Sequence, residues 1–94
     1  MFITRVELHS ANEDDYDTLH EAMRDRGFSQ TVIFDNGLEY HLPPAEYYAE
    51  GERTSSELLR LAQAAARKTG LSASIVVAET VFIRASGLTQ VEDQ

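Results

Sequence analysis

The chain has 94 residues and a mass of 10.5 kDa, room for one domain and not for two separate cores. Sixteen acidic residues against eight basic ones give a net charge of −8, which disfavours non-specific binding to DNA or RNA through a general basic surface. Cysteine is absent, which removes disulfides, thiolate metal sites and thiol nucleophiles together; with no apolar run of signal or membrane-span length, the expectation is a cytoplasmic protein without a membrane partner.

Phe2 to His9 alternates, with Phe2, Thr4, Val6 and Leu8 on one side and Ile3, Arg5, Glu7 and His9 on the other, and reads as a strand covered on its even-numbered face. Ser10-Ala11-Asn12-Glu13 has capping-box spacing, acids crowd the turn that follows, and Arg24 and Arg26 precede Gly27, so a helix is expected over about 12–26. Its inner stripe is Tyr16, Leu19, His20 and Met23, and His20 on that stripe reads as a partly buried structural imidazole. Phe28, just past Gly27, is placed for the apolar contact that accompanies a glycine stop.

Gln30 to Phe34 is β-branched and aromatic, and Asp35-Asn36-Gly37-Leu38 carries the Asn-Gly signal of a two-residue hairpin loop. That loop pairs Ile33 with Tyr40 and Val32 with His41. It puts Ile33, Tyr40 and Leu42 on one face and Val32, Phe34, Glu39 and His41 on the other. Pro43-Pro44 interrupts the strand that follows the loop, leaving Ala45 to Glu52 as either a continuation on a sheet edge or a packed loop.

Thr54-Ser55-Ser56-Glu57 is a second capping box, followed by Leu58, Leu61, Ala62, Ala65 and Thr69 at helical spacing and stopped by Gly70. Ser74 to Arg84 is apolar on both faces and reads as the last strand. The expected organisation is one α+β domain over residues 1–85 with a flexible tail over 86–94. The order β-α-β-β-α-β predicts a ferredoxin-like plait, a four-stranded antiparallel sheet with two helices on one face. Its open face is expected to carry Ile3, Val32, Phe34 and part of the last strand, a set that calls for a homodimer.

Candidate chemistry lies on that open face. His9 and His41 are expected at the same rim with Arg5 nearby, a base, an acid and a phosphate-binding guanidinium for metal-free RNA cleavage. Arg53, Arg60 and Arg67 recur every seven residues on the second helix with Lys68 beside the last. They form a stripe that suits RNA or the acidic half of a partner, because residues 1–52 hold twelve acids against three arginines. Phe34, Tyr40 and Tyr47 are aromatic candidates for stacking bases or anchoring a partner. Asp14, Asp15 and Asp17 fit no ligand spacing and are explained by the helix dipole; no metal and no cofactor is expected.

The layout resembles the GhoS-type antitoxin endoribonucleases and the small bacterial domains grouped with them. The residues that carry the likeness are Asp15-Tyr16, Leu19 and Met23 on the first helix, Gly27-Phe28-Ser29 leading into the second strand, and the capped, alanine-rich second helix. That family is similar in fold to the plaits of VapD toxins and CRISPR adaptation nucleases. The resemblance implies a cytoplasmic, sequence-selective RNA-cleaving antitoxin that silences a toxin message, and it carries no catalytic position over to a numbered residue here. The alternative from the residues alone is a non-enzymatic homodimeric protein-interaction module.

Overall fold

A computed structural model describes residues 1–92 and shows a small α+β protein with two helices and antiparallel sheets. The elements are β1 (Phe2–Leu8), α1 (Glu13–Arg24), β2 (Thr31–Ile33), β3 (Glu39–His41), β4 (Glu46–Ala49), α2 (Ser55–Arg67) and β5 (Ala73–Glu79). β1 is the central strand, paired antiparallel with β4 on one side and β5 on the other. The expected continuous four-stranded sheet does not form. β2 and β3 make a separate two-stranded sheet, tied to β4 by one isolated bridge in which Ser29 and Tyr48 exchange backbone bonds of 2.8 and 2.7 Å.

The even face of β1 behaves as the alternation demands, with Phe2, Thr4, Val6 and Leu8 all buried. Both helices pack there, and the core joins those strand residues to Leu19, Ala22 and Met23 of α1 and Leu58, Ala62, Ala65 and Ala66 of α2. Among the described residues, no helix covers the odd face.

Both helices start and stop for local reasons. The capping box of α1 sits two residues later than the spacing suggested: the Asp15 amide donates to Asn12 Oδ1 and the Asn12 amide to Asp15 Oδ2, each at 3.0 Å, while Ser10 turns the chain at φ 58°. The Phe28 amide donates to the Met23 carbonyl and the Gly27 amide to the Arg24 carbonyl, a glycine stop with Phe28 and Met23 both buried. Thr54 Oγ1 caps α2 by accepting from the Glu57 amide at 3.1 Å.

The hairpin differs from expectation by one residue of register. Phe34 donates to the Leu38 carbonyl and Gly37 to the Phe34 carbonyl, so the loop is Asp35-Asn36-Gly37 with Gly37 left-handed at φ 79°. Val32 therefore opposes Tyr40, and Ile33 opposes Glu39. A one-residue slip exchanges the faces of a strand: Val32 is buried at 6% exposure and Ile33 lies open at 68%, the reverse of the sequence reading.

Two further differences concern the end of the chain. The last strand stops at Glu79 because its ladder with β1 ends where Thr80 donates to the Met1 carbonyl; Thr80 Oγ1 then donates to the Phe82 carbonyl and turns the chain away. The expected flexible tail is instead paired with β3 up to Val91, through His41 to the Thr89 carbonyl and Val91 to the Glu39 carbonyl, each at 2.9 Å. Residues 93–94 of that tail lie outside the described residues.

Candidate functional site

His9 and His41 are not brought together. His9, at the end of β1, places Nδ1 2.9 Å from Ser72 Oγ and Nε2 2.8 Å from Ser74 Oγ, so both ring nitrogens are engaged on the β5 side. His41 belongs to β3 in the other sheet, which attaches beyond β4; it stands opposite Thr31, and its amide donates to the Thr89 carbonyl. Among the described residues, no hydrogen bond, ion pair or cleft contains both rings. Arg5 lies 3.8 Å from both Glu7 and Glu46 on the odd face of the sheet, so its charge is answered within the protein.

The arginine stripe is shorter than its spacing implies. Arg53 turns back onto the end of α1, donating from Nη2 to the Arg26 carbonyl at 3.4 Å, and its guanidinium fills the space beside Gly27. A Cβ at position 27 would lie 3.0 Å from Arg53 Nη1. Arg26 donates to the Ala22 carbonyl at 2.8 Å, so both guanidiniums satisfy the carbonyls at this helix end. Arg60, Arg67 and Lys68 remain exposed, and no ion pair among the described residues involves them.

Tyr47 leaves the aromatic binding set. It faces the core opposite Thr4 and is 1% exposed, because β4 lies flat against β1 and alternation turns position 47 inward. Phe34 and Tyr40 meet edge to face at 5.6 Å and line a cleft with Asn36 and the 83–88 segment. Tyr48, on the opposite side of β4 from Tyr47, donates to Glu50 at 2.7 Å; burial, then that bond and charge, push its hydroxyl up to about 12.

A second cleft opens between α1 and the chain before β4, lined by residues that include Arg5, Tyr16, Asp17, His20, Pro44 and Ala45. It exists because β4 fails to continue. Val6 still donates to the Ala45 carbonyl, but Ala45 adopts φ 80° and Pro43-Pro44 leads the chain away, so the next inward amide of β1, Leu8, donates to the Tyr16 hydroxyl at 3.0 Å. His20 lines this cleft and is half-buried as its helical position implied. Its Nδ1 lies 2.6 Å from the Tyr47 hydroxyl, and the Tyr16, His20 and Tyr47 rings form a tilted chain. Burial raises the Tyr47 hydroxyl well above the usual phenol range, so it keeps its proton, and the His20 tautomer sets which of the two groups donates. Burial also pulls the imidazole below its usual value, against the nearby Asp17 carboxylate and with the help of Arg24, which keeps His20 neutral. The sequence carries no local sign of Tyr47 as its partner, since the two are 27 residues apart.

The remaining feature is the uncovered odd face. Its rows are Tyr48, Ile3 and Ala78; Glu46, Arg5 and Val76; and Glu7 with Ser74. Val32 and Phe34 do not join it as expected, because β2 and β3 lie in a separate sheet. Ile33 at 68%, Val81 at 80% and Phe82 at 71% gather with Met1, Val32 and Phe34 around a third cleft beside Tyr48, and Val76 at 63% stands on the sheet itself. No helix of the described residues is long and apolar enough to cross a membrane, and no group of three or more His, Asp and Glu residues among them is placed to hold a metal ion. No family model, curated protein or solved structure matches the chain.

Proposed function

We propose that this protein is a non-enzymatic, homodimeric interaction module built on a ferredoxin-like plait. The observation that carries the reading is exposed apolar surface, Val76 on the uncovered sheet face and Ile33, Val81 and Phe82 around the cleft beside Tyr48, each more than 60% exposed, of the kind that marks a protein partner. The plait is supported by connectivity: β5, β1 and β4 lie in its order, Ser29 bridges the outer edge of β4 where a fourth strand belongs, and β2 and β3 form an excursion before β4. Sedimentation equilibrium of the full chain tests the reading, with a mass near twice 10.5 kDa expected. A monomer at several hundred micromolar overturns it.

A second reading, an RNA-binding antitoxin with metal-independent endoribonuclease activity, is favoured by Arg60, Arg67 and Lys68, exposed and without an ion pair among the described residues. It requires salt-sensitive RNA binding that Arg60→Glu with Arg67→Glu abolishes. Unchanged binding in that variant removes the stripe from the reading.

A further inference from the structure

We propose that the homodimer forms through β5, two copies of the strand pairing antiparallel, edge to edge, about a two-fold axis at Val76, so that two three-stranded sheets become one continuous sheet. The inference rests on the interaction-module reading and names its interface. β5 is an edge strand of seven residues, with nothing among the described residues paired to its outer side. The bonds at the two ends of the β1 ladder, His9 to the Ser72 carbonyl and Thr80 to the Met1 carbonyl, set its phase: even-numbered residues turn their amides and carbonyls toward β1. Ala73, Ile75, Val77 and Glu79 therefore turn theirs outward.

Edge strands are ordinarily blunted by proline, lysine, a bulge or a very short length, and β5 has none of these; its one charge, Glu79, is at its end. Outward residues can pair only with outward residues. The phase thus allows a two-fold axis on a residue and not between residues, and the middle residue of β5 is Val76. An axis there uses the whole strand. Ile75 meets Val77 of the partner subunit, Ala73 meets Glu79 of the partner subunit, Ser74 meets Ala78 of the partner subunit, and no like charges stand opposite. Val76, 63% exposed in the monomer, meets Val76 of the partner subunit at a non-hydrogen-bonded site, where side chains approach closest. A strand so matched to its own reverse selects a second copy over a foreign peptide.

Two variants test this in the full chain. Val76→Lys sets two ammonium groups against each other at the axis, at a site already mostly exposed. The expected result is a folded protein by circular dichroism whose self-association is weakened at least tenfold by sedimentation equilibrium. Because the chain has no cysteine, Val76→Cys reports geometry directly. Facing Cα atoms roughly 4.5 Å apart at the axis oxidise to a covalent dimer, whereas Ser74→Cys leaves its two sulfurs about four residues apart and unlinked. A wild-type dimer that survives Val76→Lys, or a Val76→Cys protein that stays unlinked, overturns the β5 interface and leaves the interaction module standing. A wild-type monomer overturns both. If Val76→Lys does not fold, the two cysteine variants decide the matter.

Discussion

Thr4 shows the conflict between shape and chemistry at a single position. Its β-branched side chain suits the centre of a strand, but it is fully buried and its hydroxyl has no hydrogen-bond partner. An unsatisfied buried hydroxyl costs about 1 to 3 kcal/mol, so Thr4→Val is expected to stabilise the fold by about 1 to 2 kcal/mol, seen as a higher urea midpoint at unchanged slope. His20 presents the complementary case, a polar ring that is satisfied. Its imidazole titrates below the ordinary value of 6.5 because burial disfavours the cation. Between the lowered folded value and 6.5 the unfolded chain binds more protons, so stability rises with pH across that window and is lost on acidification. Urea titrations from pH 5 to 8 should show this slope in the wild type and a flatter one in His20→Gln. The half-buried ring was legible in the sequence from its place beside Leu19; the Tyr47 hydroxyl that holds it was not, because that contact depends on how β4 packs.

At the scale of elements, the two helices were legible because their signals are local: a cap, an apolar stripe and a glycine stop within about fifteen residues. The sheets were less so. The Asp35-Asn36-Gly37 loop keeps the Asn-Gly signal yet holds one residue more than a two-residue loop, and that residue exchanges Val32 and Ile33 between faces. With the hairpin in its own sheet, His41 moves away from His9, so the expected pair depended on a sheet partition that no short stretch encodes. The other hidden element is Ala45, whose φ of 80° is unusual for a residue with a Cβ and which no composition signal marks. Ala45→Gly relieves that strain and is expected to stabilise the protein by about 1 kcal/mol in thermal unfolding, with the core unchanged.

For the whole molecule, surface and size disagree. A monomer of 10.5 kDa is expected to expose about 5,400 Å², and this chain exposes 6269 Å². Its extents of 39 × 29 × 21 Å reflect a hairpin and carboxyl-terminal segment set apart from the helix-covered sheet. A second copy that pairs only with the folded chain stabilises only the folded state, so the midpoint of thermal unfolding is expected to rise with protein concentration between about 5 and 500 μM. A midpoint independent of concentration counts against the dimer at this scale.

The bridge between Ser29 and Tyr48 limits how far such association can go. It occupies the far side of β4, and the Tyr16 hydroxyl plugs the gap where β4 departs from β1, so the main sheet offers a docking side in one direction only. A subunit with a single sticky border exhausts it on joining its twin. Edge-to-edge pairing of this kind stops at a closed pair.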